Sequence, residues 1–341
     1  MKEQLFNIIN THFPDSNRDL DGWQRVLNNS SIVPSCFYLY NMVEYYKSYY
    51  NEFSSINLSF VIYINKEAVC LIPLLVHQNS KKQWFLSSNG TEIIEPLFIK
   101  SLARKVKRRL ELELRDLILD LVKKLKIKKF QFVNMNLRSL SDWYLMWAET
   151  ANKIFTSHHI FVDLSLSLEE IHLKFRKSFR PLVNKGLREL NVEVHEEISD
   201  ELFESFRNLH KEVAGRTTRS IESWKIQKEQ ISAKESFLII VKTKSNNLIG
   251  GGLITYSRDC GFYSVGAYKR EHTDKPIGHV VQMKAIETLK RNNVKLYEIG
   301  VKYLKIDRTK PDNKQMHISH FMEGFASNIM ARQHLIVNLN Q

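Results

Sequence analysis

The loop Gly215-Arg216-Thr217-Thr218-Arg219 concentrates more ligand-ready chemistry than any other stretch of the chain. Two arginines three apart, flanked by hydroxyls and preceded by His210, form a donor-rich fork suited to a carboxylate or phosphate. Trp224 and Gln227, close to one helical turn apart just downstream, supply a stacking wall and a polar contact. Arginines at a helix corner also cap carbonyls, so binding and capping both account for this loop. Lys177 and Arg180 are read as one turn apart on an earlier helix, facing either a groove or water.

A second group lies at the end of a predicted strand, Val294 to Ile299. Parallel sheets place ligands at the carboxyl ends of their strands, where Glu298 and Gly300 stand. Alternation puts Tyr297 and Ile299 on one side and Leu296, Glu298 and Gly300 on the other. Glu298 is thus the first candidate for general base or amine-orienting group, with a place on an exposed face as the alternative. The cleft it would line is bounded by Tyr263. Lys302 and Lys314 follow on a loop and could neutralise phosphate or a developing oxyanion, though lysines on loops are commonly solvated. His317 and His320 stand three apart with no carboxylate at a zincin-like spacing, so no metal site is expected. GxSxG, Cys/His-dyad and GxxxxGK[ST] patterns are absent, which removes several enzyme classes.

Length and patterning say what must position these residues. At 341 residues, 43% of them hydrophobic, the chain supports two domains with a core each. Predicted strands at Leu58 to Ile64, Ala68 to Val76 and Trp84 to Ser88 precede a helix and a strand at Lys129 to Val133. The second half repeats the order: Phe237 to Thr243, Leu248 to Ser257, Gly261 to Ala267, a helix from Gly278 to Arg291, and Val294 to Ile299. Hairpin, third strand, helix, fourth strand is the order of an α/β module whose crossover helix links parallel neighbours. The modules are expected over 1–160 and 161–341, joined near Phe161 to Ser167, where a strand runs into a helix with Ser167 and Glu170 as its capping box. Pro181 should kink or end that helix. Helices are expected at Asp200 to Ala214 and Ser220 to Ser232.

The net charge is +13, and Lys100 to Lys129 carries 12 basic against 4 acidic residues. Leu102, Val106, Leu110, Leu114, Leu117, Leu121 and Leu125 recur every three or four positions there, the pattern of an amphipathic helix with a basic outer face. That face is either simply solvated or attracts nucleotides, sugar phosphates, tRNA or an anionic membrane surface. Cys36, Cys70 and Cys260 fit neither a disulfide framework nor a structural zinc. No signal-like or membrane-spanning apolar run occurs, so a soluble cytoplasmic protein is expected, with peripheral membrane contact through the basic helix as one option.

Several segments together resemble the FemABX-like transferases: VDLSLSLEEIHLKFRKSFRPLVNKGLRELNVEV, NLHKEVAGRTTRSIESWKIQ, FYSVGAYKREHTDKPIGHVVQMKAIETLKRNNVKLYEIG and HISHFMEGFAS. The last is similar to the family's FK-x-GFG ending, with Met322 and Ala326 in place of its lysine and second glycine. The resemblance is clear over Phe161 to Ser327 and implies two GNAT-like modules, each a mixed twisted α/β sheet with flanking helices. It also implies acyl or aminoacyl transfer, from acyl-CoA or aminoacyl-tRNA, to an amine on a peptidoglycan or surface-glycan precursor such as a nucleotide- or lipid-linked amino sugar. In GNAT folds the third and fourth strands splay to admit the donor, and the intervening helix offers N–H groups to its pyrophosphate. The R/Q-x-x-G-x-G/A signature there reads Lys275-Pro276-Ile277-Gly278-His279-Val280, which assigns Lys275, Gly278 and His279 to the donor. Pro276 removes one N–H, and Gly278 also serves as an ordinary helix-start glycine. The implied mechanism has Glu298 assisting deprotonation, with Tyr263 and Lys302 beside it, while Arg216 and Arg219 hold the acceptor. RNA binding without chemistry, or a catalytically silent membrane-docking scaffold, is the alternative.

Overall fold

The computed structural model describes residues 1–339 except 31, 51, 273, 308 and 309. They form two compact units, Met1–Thr156 with Arg332–Gln341, and Ser157–Ala331. The described residues from Arg332 on thus group with the first unit, where the sequence suggests a second module running to the C-terminus.

The first unit opens with helices α1 (Lys2–His12), α2 (Leu20–Asn28) and α3 (Tyr40–Tyr49). Strand β1 (Ser54–Asn57) is followed by the hairpin β2 (Phe60–Ile64) and β3 (Glu67–Ile72). Its two-residue turn, Asn65-Lys66, has both φ angles positive, the twist that tight hairpins require. Then come β4 (Leu75–Gln78), β5 (Trp84–Ser87), β6 (Ile93–Ile94) and β7 (Leu97–Phe98). Helix α4 (Arg104–Leu125) buries Leu110, Leu114, Leu117, Leu121 and Leu125, the stripe its periodicity predicts, and exposes Arg104, Lys105, Arg108 and Arg109. Strand β8 (Lys129–Val133) and helix α5 (Asp142–Ala148) follow.

Strand β9 (Lys153–Asp163) leads into the second unit and starts well before Phe161, so Ser157 and His159 lie on a strand. Ser167 and Glu170 form the expected reciprocal cap on α6 (Leu168–Lys174). The chain then breaks at 175–178 and restarts as α7 (Phe179–Glu189), with Pro181 in its first turn, where a missing N–H costs nothing. Strand β10 (Asn191–His195) precedes α8 (Asp200–Ala214) and α9 (Ile221–Ser232). Strands β11 (Ser236–Lys242), β12 (Leu248–Tyr256) and β13 (Cys260–Tyr268), helix α10 (Ile277–Arg291), strand β14 (Leu296–Val301) and helix α11 (Asn313–Glu323) complete the unit. Strand β15 (Asn328–Asn338) runs back and pairs antiparallel with β8.

Within the second unit the strand order is β10-β11-β12-β13-β14-β9. Every neighbouring pair there is antiparallel except β13 and β14, which α10 connects. One face packs against α7 and α10 through Ile160, Val162, Val183, Val280, Val281, Tyr297 and Ile299. The other packs against α8 and α9 through Phe206, Trp224, Leu238, Leu253 and Val265. The helix–strand joins after α4 and α10 match in detail. Each helix ends beside a left-handed residue, Lys126 or Asn293, and closes with an N–H five residues on, Ile127 to Val122 and Val294 to Leu289.

Candidate active site

Strands β13 and β14 pair only over Cys260–Phe262 and Leu296–Glu298. Beyond Phe262 and Glu298 they part, so Glu298 is the last residue of β14 held to β13. The Gly261–Tyr297 pair points at α10, where a Cβ on Gly261 would meet Leu289. Alternation therefore turns Phe262 and Glu298 to the α8/α9 side.

Glu298 is buried, 2% exposed, and its Oε1 lies 2.6 Å from Nδ1 of His159 on β9. The register between β14 and β9 shifts at Ile299, with Glu298 opposite Phe161 and Gly300 opposite Ile160. Nε2 of the same imidazole lies 2.8 Å from Ser157 Oγ. Burial grades along this series: the Glu298 side chain is 3% exposed, that of His159 12%, and Ser157 is half-buried. His159 and Ser157 are not among the residues expected from sequence, because the strand expected there starts only at Phe161 while β9 begins at Lys153. The period-two spacing of Ser157, His159 and Phe161 is the signal that finds them.

Tyr263 does not share this face. Two residues on from Gly261, Tyr263 returns to the α10 side, where it packs with that core and its hydroxyl bonds that of Tyr268. Burial and the adjacent Tyr268 push its phenol well above the usual tyrosine range. The cleft between Tyr263 and Glu298 expected from sequence is thereby corrected: the two side chains leave opposite faces of the sheet.

Lys302 is engaged, its Nζ 2.5 Å from Glu323 Oε2 on α11, so its charge is already met by a carboxylate. Lys314, His317 and His320 are exposed along α11. Among the described residues no group of three His, Cys, Asp or Glu is placed to hold a metal.

The loop after α8 runs between two helix caps. Gly215 takes a left-handed φ of 68° and closes α8 by donating to the carbonyls of Lys211 and Glu212, and Ser220 caps α9 through the N–H of Ser223. Between these caps the loop, His210, Lys211 and Trp224 line a cavity of about 170 Å³. The Arg219 guanidinium sits 4.9 Å from the Trp224 ring centre and bonds Gln227 Oε1 at 3.4 Å. His210 meets the Trp224 edge at 5.2 Å, and burial, then the charge of Arg219, push its pKa down to about 4. His210 is neutral at pH 7, leaving positive charge to Lys211, Arg216 and Arg219, while Arg207 is paired with Glu204. Thr218 Oγ1 is buried without a hydrogen-bond partner at the cavity wall.

Lys177 lies in the turn between α6 and α7, not one helical turn from Arg180 on a common helix; the break at 175–178 separates them. Lys177 is exposed, while Arg180 donates to the carbonyl of Leu173 and so closes α6.

At the start of α10 the donor signature is largely spoken for. The N–H groups of Ile277, His279 and Val280 already donate to the carbonyls of Lys275, Pro276 and Pro276. A Cβ on Gly278 would come within 2.9 Å of Phe321. The His279 ring packs among Phe179 at 4.5 Å, Phe321 at 5.1 Å and Phe325 at 5.9 Å, and burial pushes its pKa down to about 4. Lys275 is half-buried in the preceding turn. Of these aromatics, Phe321 and Phe325 come from the HISHFMEGFAS segment and Phe179 from the start of α7.

No protein-family model matches the chain, and no curated protein sequence does. Among solved structures it is similar to FemX, with TM-score 0.70 and 13% identity over 96% of this chain and 98% of that one. It is also similar to L-PGS from Bacillus licheniformis, with TM-score 0.60 and 11% identity over 95% and 93% of the two chains. A tandem GNAT protein from the clavulanic acid biosynthesis pathway aligns at TM-score 0.50 and 12% identity, covering 95% and 97%. The chain has the mixed α/β, duplicated GNAT fold of these proteins, which is the fold its FemABX-like segments implied.

Proposed function

We propose that the chain is an acyl- or aminoacyltransferase that forms an amide on an amino group of an anionic surface-glycan or peptidoglycan precursor, such as a nucleotide- or lipid-linked amino sugar. One observation carries the reading: where β13 and β14 part, the last paired residue of β14 is a buried carboxylate bonded to a histidine. An amine must lose a proton as it attacks an ester or thioester, and imidazole is the side chain best matched to that task near neutral pH. Glu298 would hold Nδ1–H and stabilise the imidazolium, so that Glu298 acts through His159. The arginine-lined cavity lies on the same side of the sheet and would take the acceptor's phosphate or carboxylate.

The engaged amides at the start of α10 weigh toward an aminoacyl ester of tRNA, whose phosphates can be held elsewhere, over acyl-CoA. The exposed basic face of α4 suits the tRNA backbone or the inner face of a cytoplasmic membrane.

Calorimetry with acetyl-CoA beside a band-shift assay with charged tRNA tests the donor. Product analysis with a nucleotide-linked amino sugar then tests the chemistry. Amide product is expected with one donor class. Glu298→Gln should lower kcat by about 10²–10⁴-fold with little change in KM. Arg216→Ala should mainly raise KM, by about tenfold for one lost charged hydrogen bond. Full activity in Glu298→Gln removes Glu298 from the mechanism, and tight, salt-sensitive binding of uncharged RNA without product favours a purely RNA-binding role.

A further inference from the structure

We propose that the transferred acyl group is carried covalently on Ser157. The inference rests on reading the chain as an acyltransferase and adds a second step to the reaction. Its basis is an ordered series of three side chains: Ser157 Oγ at 2.8 Å from His159 Nε2, and His159 Nδ1 at 2.6 Å from Glu298 Oε1. Hydroxyl and carboxylate take opposite nitrogens of one ring. A carboxylate at Nδ1 keeps the proton on that nitrogen, which leaves the Nε2 lone pair to accept from the hydroxyl. This is the polarity that activates a serine, and the reverse tautomer would not.

Each position follows from the local fold. Ser157 and His159 are two apart on β9 and so leave one face of the strand, while the register shift at Ile299 sets Glu298 against the imidazole. The carboxylate lies deepest and the hydroxyl is the more exposed end, the order needed for a nucleophile that meets an incoming carbonyl.

The steps balance. Ser157 Oγ attacks the carbonyl of an acyl ester or thioester as its proton passes to His159 Nε2. The C–O or C–S bond to the carrier breaks, and the leaving oxygen or sulfur takes that proton. The acceptor amine then attacks the acyl-serine, His159 removes its proton and returns it to Ser157 Oγ, and the amide departs. No oxidant or metal is required.

p-Nitrophenyl acetate offers an acyl group without a natural carrier and so tests the serine independently of donor identity. With the full chain, a burst of p-nitrophenolate stoichiometric with protein is expected, with one acetyl group mapped by peptide mass spectrometry to Ser157. Ser157→Ala should abolish burst and adduct, and Glu298→Gln should slow the burst by about a hundredfold or more. Ser157→Cys provides a variant that conserves size: its thiol should alkylate rapidly with iodoacetamide, read against the buried Cys36, Cys70 and Cys260, and lose that reactivity on adding His159→Ala. An adduct on another residue, no adduct at all, or amide formation at undiminished rate by Ser157→Ala with its natural donor overturns the covalent step. In the last case the transferase reading stands as direct transfer, whereas absence of amide product with either donor class, in wild type as well, removes the transferase reading itself.

Discussion

His77 makes the stability of the first unit depend on pH. The imidazole is fully buried on β4, stacked on Phe85 at 4.8 Å, with Ser55 Oγ at 2.7 Å from Nδ1 and Ser87 Oγ at 2.8 Å from Nε2. Two hydroxyls satisfy a neutral ring, one giving and one accepting, and burial pushes the pKa from 6.5 down to about 4. Between those values the unfolded chain binds the proton and the folded chain does not, so stability falls as pH drops below about 6.5 and the loss levels off near 4. At about 1.36 kcal/mol per pH unit the full loss is about 3 kcal/mol. His77→Gln removes the titration while keeping one donor and one acceptor. It should be the less stable protein at pH 7, with its deficit shrinking by about 3 kcal/mol on going to pH 4. Urea unfolding followed by tryptophan fluorescence suits the measurement, because Trp23, Trp84, Trp143 and Trp147 belong to the first unit and only Trp224 to the second. Wild-type and variant stabilities that stay parallel from pH 7 to pH 4 would refute the reasoning.

Gly251→Ala should destabilise the second unit by about 1–3 kcal/mol, read as a lowered Tm, because its Cβ would lie 2.6 Å from the Ile239 carbonyl oxygen, which the sheet holds in place. Unchanged melting would mean that β11 and β12 can separate locally. Glu111, 1% exposed on α4, has both carboxylate oxygens without hydrogen bonds, and burial raises its pKa despite Lys107 at 3.6 Å. With the folded pKa raised, the wild type loses stability as pH rises through that value. Glu111→Gln should therefore stabilise by about 1 kcal/mol at pH 8, a gain that fades toward pH 4. Chemical denaturation at the two pH values decides it, and a destabilised variant at pH 8 would show that the carboxylate is solvated.

The patterns that were legible in the sequence are those governed by neighbours along the chain. The leucine spacing of α4, the Ser167 and Glu170 cap and the α8 and α9 bounds all depend on residues within a few positions of each other. The fork of Arg216 and Arg219 with His210 and Trp224 belongs here too, since Gly215 and Ser220 cap adjoining helices and so hold its members together. Strand alternation alone separated Glu298 from Tyr297.

What the sequence could not decide depends on pairing between distant segments. Glu298 meets His159 across 139 positions, through a register shift at Ile299 that no local pattern announces. The bulge at Leu253 and Ile254 resets β13, so that Val265 and Ala267 face α8 and α9 although Tyr263 faces α10. The start of α10 carries a phosphate-loop-like string, yet Phe179 of α7, Phe321 of α11 and Phe325 of the turn after it surround His279. Sequence by itself determined the module order, the helices and the arginine loop, because capping, periodicity and turn chemistry act over a few residues. Tertiary structure alone decided which carboxylate meets which imidazole and hydroxyl, because strand register is set by the packing of whole faces.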